Sequence, residues 1–357
     1  MTSVEIITSR AGFEATAAEW NALADRASPS PLLRHEWLLT AARTLSPDDD
    51  LAVAVARRDG RLCAAAPLVV DRSTVVPRLR LLGWQTSEPE AFLYEDEDAL
   101  EAVCRAVLRL GRPVMLQRLA TDSPEWRLLG EHARRRGFAV LRPSTSPYYF
   151  TALEKDWPAF EQSIAGKKRS ELRKLRRDLE SHGEVAFEML RPADPETALR
   201  LLDELQRIEA SGWKGRDGTD MLSRPPLARF MAEYAGLAAR RGMLRISVLR
   251  LKGEPVVVQM DIEHGGRLWG LKMGTDERWL KCGPGILSTH EICRWAIENG
   301  LEGLEHMGRA EQWQRRWPHV VRDCSSFRFY PRRLGAAVAF GLDTAEYARR
   351  KVADRAA

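Results

Sequence analysis

Residues 243–298 read MLRISVLRLKGEPVVVQMDIEHGGRLWGLKMGTDERWLKCGPGILSTHEICRWAIE. Val248 to Arg250 leads to a Lys252-Gly253 turn, Pro255 to Glu263 alternates apolar with polar residues, and His264-Gly265-Gly266-Arg267 turns the chain into Leu268 to Met273. Alternation at a period of two, broken by charged-Gly and Gly-Gly turns, predicts an antiparallel meander of three strands. A helix is expected over Ile286 to Glu298, preceded by the loop Lys281-Cys282-Gly283-Pro284-Gly285. Glycines there let the backbone approach an anion, and the first N–H groups of the helix have no acceptor inside it, so the loop reads as a phosphate seat. A plain tight turn that starts a helix with proline would carry the same string. Two nucleotide-binding classes are disfavoured, because no Gly-Lys-Ser/Thr follows the loop and the Gly-x-Gly-x-x-Gly spacing is missing.

Composition narrows the rest. With 357 residues, 44% hydrophobic and 29% charged, the chain can bury a substantial core and is long enough for two domains. No apolar run approaches the roughly 20 residues needed to span a bilayer, and Met1 to Arg10 lacks a basic-then-apolar leader, so a soluble, cytoplasmic protein is expected. The cysteines at 63, 104, 282, 293 and 324 form no Cys-x-x-Cys pair, which argues against a disulfide framework or a zinc ribbon. His290 and Cys293 share a helical face but have no further Cys or His close in sequence, so no metal site is expected. A formal charge of +5 permits polyanion binding without demanding it.

An internal repeat appears in the first half. Leu51 to Val70, broken by Asp59-Gly60, has the strand, charged-Gly turn and strand of residues 246–262. Leu100 to Leu110, Gly111, then Val114 to Leu119 echoes Ile286 to Glu298, Asn299-Gly300, then Leu304 to Met307. Two copies of one α/β fold follow, expected over residues 1–150 and 151–335, with a helical tail over 336–357. In the first copy the segment before the helix is Tyr94-Glu95-Asp96-Glu97-Asp98, whose carboxylates would repel a pyrophosphate. That copy is expected to wall the cleft, with Trp20, Trp37 and Trp84 as core or cleft aromatics. Between the copies, Leu172, Leu175 and Leu179 recur at helical spacing among Lys167, Lys168, Arg169, Arg173, Lys174, Arg176 and Arg177, an amphipathic helix with a basic face. The face is either solvated or a dock for an anion such as the 3′-phosphate of coenzyme A, an acidic acceptor or a tRNA stem. The segment Glu209 to Arg216, with Trp213 flanked by Gly212 and Gly215, reads as a closing loop or a helix end.

Several of these elements recur together in one known family. They are the Glu19-Trp20 and Glu36-Trp37 helices, the Arg169 to Arg177 basic helix, Glu209-x-Ser211-x-Trp213-Lys214-Gly215, Lys272-x-x-x-Asp276, Pro284-Gly285, and Gly308-Arg309 followed by Trp313 and Trp317. Over roughly residues 5 to 330 the chain resembles the cellulose-biosynthesis (CelD/BcsL-type) acetyltransferase-like family of the GNAT superfamily, related to the Fem-type aminoacyl transferases. The resemblance implies an α/β (α+β) fold of tandem GNAT-like domains, each a mixed, mostly antiparallel sheet flanked by helices. It also implies acyl transfer from a coenzyme A thioester to an amine or hydroxyl of a small molecule or an envelope or polysaccharide acceptor. The chain departs from the pattern at Leu280, where the GNAT loop usually has Arg or Gln, and at Gln314, where family members carry Lys.

Candidate residues follow from both readings. Acyl-CoA is expected along Arg278, Lys281, Cys282, Gly283, Pro284, Gly285, Ile286 and Leu287, without a metal. Strand alternation puts Gln259, Asp261 and Glu263 on one face, and pairing across Gly265-Gly266 is expected to bring Lys272 opposite Gln259 and Gly270 opposite Asp261. Acceptor contacts are therefore sought at Gln259 and Lys272, with Trp213, Lys214 and Trp313 beside them. The base for a direct attack is expected among Glu209, Asp261, Asp276 and Glu311. Two other classes stay open: a Fem-like transferase that takes its amino acid from aminoacyl-tRNA, and a non-catalytic binding protein.

Overall fold

The computed structural model describes residues 2–356 except 90, 143, 213–215, 219 and 309. It divides into two compact units, one formed by Met1–Pro147 with Asp323–Ala357, the other by Tyr148–Arg322.

In the second unit a seven-stranded sheet runs in the order Val185–Leu190, Leu244–Leu251, Glu254–His264, Arg267–Thr275, Gly303–Glu305, Tyr148–Ala152, Val320–Arg322. The predicted meander is its centre. The Lys252-Gly253 turn places both residues at positive φ (53° and 81°), as a two-residue hairpin requires. Helices cover both faces, as neighbouring residues of one strand show. A side chain at Gly274 would meet Leu205 O and Glu209 N of the helix Pro195–Ser211, at 3.0 and 3.1 Å. Met273 and Thr275, which point the other way, lie against Gly285 of the helix Pro284–Glu298. That second face holds the unit's core, with Val257, Leu268, Leu287, Ile292, Leu304 and Trp317 buried together. The basic helix forms over Gly166–Glu180, burying Leu172 and Leu179 and setting Leu175 under Gly283.

The first unit repeats the hairpin. Val53–Arg58 and Arg61–Ala66 join through Asp59 and Gly60, also at positive φ (52° and 80°), inside a four-stranded antiparallel sheet with Thr2–Ile7 and Leu93–Tyr94. The acidic segment before the helix Glu97–Arg109 is a cap: the Asp96 carboxylate accepts the Ala99 N–H at 2.9 Å and holds the Arg58 guanidinium. Trp20 and Trp37 are core residues, and Trp84 is half-buried beneath the Arg80 guanidinium.

The expected boundaries at 335 and 336 are corrected by the last strand. Cys324–Tyr330 inserts between Val114–Ala120 and Ala139–Leu141 in the six-stranded sheet of the first unit. The chain thus leaves the first unit at 147 and returns to it at 323. The helix Leu334–Ala356 belongs there too, tied down by Asp343. That carboxylate takes two bonds from Arg78 (2.7 and 2.8 Å), one from the Tyr330 hydroxyl, and lies 3.1 Å from Arg328. Burial works to raise its pKa, but the bonds from Arg78 and Tyr330 outweigh this and hold the carboxyl below its usual range.

A group whose pKa is depressed by folding contributes stability above its unfolded value and loses it as pH falls through the folded one. Asp343→Asn is expected to cost roughly 3 kcal/mol at pH 7 by leaving Arg78 buried without its charge partner. In urea unfolding the gap to the parent protein should close below about pH 4. An unchanged midpoint at pH 7 would show that the helix is held by apolar contacts alone.

Candidate active site

The strands Arg267–Thr275 and Gly303–Glu305 run parallel, joined by the single-turn helix Glu277–Cys282 and the helix Pro284–Glu298. Their pairing covers only Arg267 with Gly303, Leu268 with Leu304 and Trp269 with Glu305. Beyond Trp269 the strands part, and among the described residues 270–275 pair only with the strand on their other side. The result is a wedge between two diverging strands, with Gly285 beside Met273 and Thr275 at its mouth. A side chain at Gly285 would begin 3.5 Å from Thr275 Oγ1 and 3.6 Å from Met273 Sδ.

Register decides what faces this wedge. Gly270 lies opposite Asp261 as expected, but the register slips between Met260 and Asp261 so that Leu271 is an extra, bulged residue. Lys272 therefore pairs with Met260 instead of Gln259, and stands on the sheet's opposite face, toward the Pro195–Ser211 helix. Met273 takes the place opposite Gln259. The expected Gln259–Lys272 pairing is thus corrected by one bulge.

Gln259 and Asp261 are coupled on the wedge face. Gln259 Nε2 donates to Asp261 Oδ1 at 2.6 Å. A side chain at Gly270 would begin 3.4 Å from Asp261 Oδ1, 3.4 Å from Gln259 Nε2 and 3.7 Å from Glu305 O, so glycine leaves this polar spot uncovered. Asp261 is 1% exposed, and burial pushes its carboxyl up to about 7, against a smaller opposing effect of the Gln259 bond. Asp261 Oδ2, Gln259 Oε1 and Ser247 Oγ, whose residue lies opposite Gln259, are buried without a partner among the described residues. Such atoms are where polar groups of a ligand or of solvent would bond.

The other nominated acids have structural partners. Asp276 caps the single-turn helix through the Arg278 N–H and is forked by the Arg278 side chain (2.6 to 3.1 Å), which holds it below the usual carboxylate range. Arg278 is thereby engaged, although its side chain is exposed. Glu311 is exposed, forms a capping box with Gln314, and accepts the Trp313 indole N–H at 2.6 Å. Glu209 is buried on the far face and accepts the Met221 N–H at 3.0 Å. Trp213 and Lys214 lie outside the described residues.

The loop keeps part of its expected role. Gly283 is left-handed (φ 60°), Pro284 opens the helix, and no side chain caps it. The Gly283 carbonyl accepts both the Ile286 and the Leu287 N–H, at 3.0 and 3.1 Å, which removes those two donors from the expected seat. Pro284 has no N–H, so the Gly285 N–H is the first-turn donor without an acceptor among the described residues. Lys281 is exposed beside it, whereas the Cys282 and Leu287 side chains are buried in the core. On the neighbouring basic helix, Lys168 and Arg176 pair with Glu171 and Glu291. Exposed Lys167, Arg173, Lys174 and Arg177 have no carboxylate partner among the described residues.

A polar cluster that sequence reasoning did not nominate borders the wedge past Glu305. His306 Nε2 lies 2.8 Å from Thr151 Oγ1, and its ring meets Trp313 edge-on at 5.9 Å. Burial, then His319, lowers its pKa to about 4, so the ring is neutral. Tyr149 stacks edge-on with His319 at 4.6 Å, and its hydroxyl accepts from Arg315 at 2.7 Å. Glu305 is buried between Arg267 (3.0 Å) and Arg322 (3.2 Å), with burial raising its pKa against those two charges. Pairing of Tyr148–Ala152 with Gly303–Glu305 assembles this group, and a strand so far back in the chain leaves no local signal. Among the described residues no group of His, Cys, Asp and Glu could hold a metal ion.

Comparison with known proteins bears on the fold. Residues 166–315 match the family model for an acetyltransferase (GNAT) domain. No curated protein matches the chain. The solved structure of FemX is similar with a TM-score of 0.60 at 12% identity, over 91% of this chain and 96% of that one. The C-terminal domain of a putative lysylphosphatidylglycerol synthetase from Agrobacterium fabrum has a TM-score of 0.53 at 13% identity, over 94% and 96%. L-PGS from Bacillus licheniformis has 0.54 at 13% identity, over 88% and 92%. The fold is mixed α/β, with several mostly antiparallel sheets flanked by helices, and the GNAT-domain match lies within the second unit.

Asp261 has a folded pKa above its unfolded value, so its own contribution to stability is greatest below about pH 4 and declines until the pH passes about 7. Asp261→Asn, which still accepts from Gln259, removes that decline. The variant should gain stability over the parent as pH rises from 5 to 8, by roughly 2 to 3 kcal/mol. Parallel unfolding curves at both pH values would show that the carboxyl is not desolvated.

Proposed function

We propose that the second unit is an acyl-CoA-dependent N-acyltransferase. The observation that carries this reading is the wedge between Arg267–Thr275 and Gly303–Glu305, with a buried, uncharged-leaning carboxyl on its floor and an uncapped helix start at its mouth. A wedge between diverging parallel strands suits a long, thin thioester arm, whose amides would bond to backbone along the gap. The Gly285 N–H and Lys281 would hold its phosphates. Coenzyme A supplies the thioester, and the protein supplies alignment and proton handling. Asp261, ionised at and above about pH 7, takes the proton of an incoming amine, directly or through one water. An N–H at the Leu271 bulge polarises the thioester carbonyl, the amine nitrogen attacks its carbon directly, the C–S bond breaks, and coenzyme A leaves as the thiol, taking up the proton. His306, Thr151 and Trp313 border the side from which the acceptor enters, and an envelope or polysaccharide amine is in keeping with the CelD/BcsL-type resemblance.

A second reading has its own observation. The four cations of the Gly166–Glu180 helix that have no carboxylate partner among the described residues lie on the helix that packs against the Gly283 loop, and would suit an aminoacyl-tRNA as donor. Activity that disappears after ribonuclease treatment would favour it. Among the described residues no helix is long and apolar enough to cross a membrane.

Calorimetric titration with acetyl-CoA and longer acyl-CoAs should give micromolar binding, and Gly285→Glu, which sets a carboxylate at the wedge mouth, should weaken it at least about tenfold. Turnover should rise with pH through about 7, because the base must be ionised, and Asp261→Asn should lose about 10²- to 10⁴-fold in kcat with binding retained. Absence of binding to every thioester would overturn the coenzyme A reading. Full turnover in Asp261→Asn would remove Asp261 as the base.

A further inference from the structure

The helix Leu334–Ala356 has its polarity reversed. Between residues 334 and 345 the one charged side chain, Asp343, points inward to Arg78, Arg328 and Tyr330. The outward face carries Leu334, Val338 and Leu342 at spacings of four, exposed by 90%, 52% and 46%. Only small or uncharged residues lie between them, with Ala337, Gly341 and Ala345 exposed. The loop before Arg78–Leu81 extends this surface. Val76 packs against Gly335, and Val75 beside it is 84% exposed. An apolar stripe of about 12 residues, or about 18 Å, faces away from the first unit's core.

Where the stripe begins, arginines converge. A side chain at Gly111 would collide with the Arg333 guanidinium and one at Gly137 with that of Arg332, so the ends of the helices Glu97–Arg109 and Pro124–Arg135 meet the start of Leu334–Ala356. Arg109, Arg112, Arg134, Arg136, Arg332 and Arg333 are exposed there and have no carboxylate partner among the described residues. Arg135 reaches Glu131 at 4.0 Å. Helix C-termini attract cations, but that accounts for one or two per helix and not for the apolar stripe alongside.

We infer that this surface docks the protein on an anionic phospholipid bilayer. Aliphatic side chains without aromatic neighbours enter the acyl boundary, and the arginines bind lipid phosphates. Charge complementarity selects this occupant over a second copy of the chain, since self-association would bring together cations that lie at both ends of the stripe, Arg332 and Arg333 at one and Arg349 at the other. A nucleic acid would use the arginines but leave the stripe in water. This inference concerns the first unit and does not depend on the chemistry proposed for the second.

Flotation of the full chain with phosphatidylcholine vesicles containing about 30% phosphatidylglycerol tests it. Binding is expected to these vesicles and not to pure phosphatidylcholine. Leu334→Ser, Val338→Ser and Leu342→Ser together should abolish it, as should salt near 0.5 M. Arg112→Glu with Arg134→Glu and Arg136→Glu should weaken it about tenfold or more. All six positions are exposed, so unchanged thermal unfolding serves as the control. Failure of the parent protein to float, or flotation indifferent to the three serines, would overturn the inference. So would a dimer that the serines dissolve, or RNA binding in place of vesicle binding.

Discussion

Pairing between two parallel strands that stops after three residues sets the terms for the second unit. Were Arg267–Thr275 and Gly303–Glu305 hydrogen-bonded along their length, the sheet would be closed and its interior dry and featureless. Because they diverge, the sheet opens beyond Trp269 into a gap between two strands that are adjacent only at their starts. The bulge at Leu271 lies at the point of divergence, where it increases local twist and turns Lys272 away from the gap. Gly270 keeps the same spot free of side chain, so Asp261 and Gln259 border the gap without being covered.

Desolvation separates carboxylates that look alike in the sequence. Asp276 and Glu311 each cap a short helix and bond to a neighbouring side chain, so their charge is already used. Among the described residues Asp261 has no cation near it and one amide donor, which is too little to hold a buried charge fully ionised. A carboxyl in that state costs stability and is retained in a fold only where the surrounding sheet fixes it, as it does here through strands on both sides.

Local patterns in the sequence were enough for the meander, its two-residue turns, the Gly283-Pro284-Gly285 helix start and the amphipathic basic helix. Each depends on residues within about a dozen positions of one another. The same alternation placed Asp261 and Gln259 together correctly. What stayed hidden is non-local. A bulge changes register without any composition cue, so Lys272 was assigned to the wrong face. The Thr151–His306 and Tyr149–Arg315 contacts join the strand Tyr148–Ala152 to residues that the rest of the unit separates from it in sequence. Nor does Cys324–Tyr330 carry any mark showing which of two sheets it completes.

That last strand has a consequence for how the protein is made. As the chain emerges from the ribosome, the first unit's six-stranded sheet lacks its fifth member until all of Tyr148–Arg322 has been synthesised. Ala139–Leu141 has no neighbour in that sheet before then, and the edge of Val114–Ala120 stands open. The second unit can fold during this interval as an insertion, while the nascent first unit waits with an unpaired edge. Cells that produce this protein must shield that edge or outrun its mispairing, and a fragment ending near residue 150 would be a folding intermediate and not a domain.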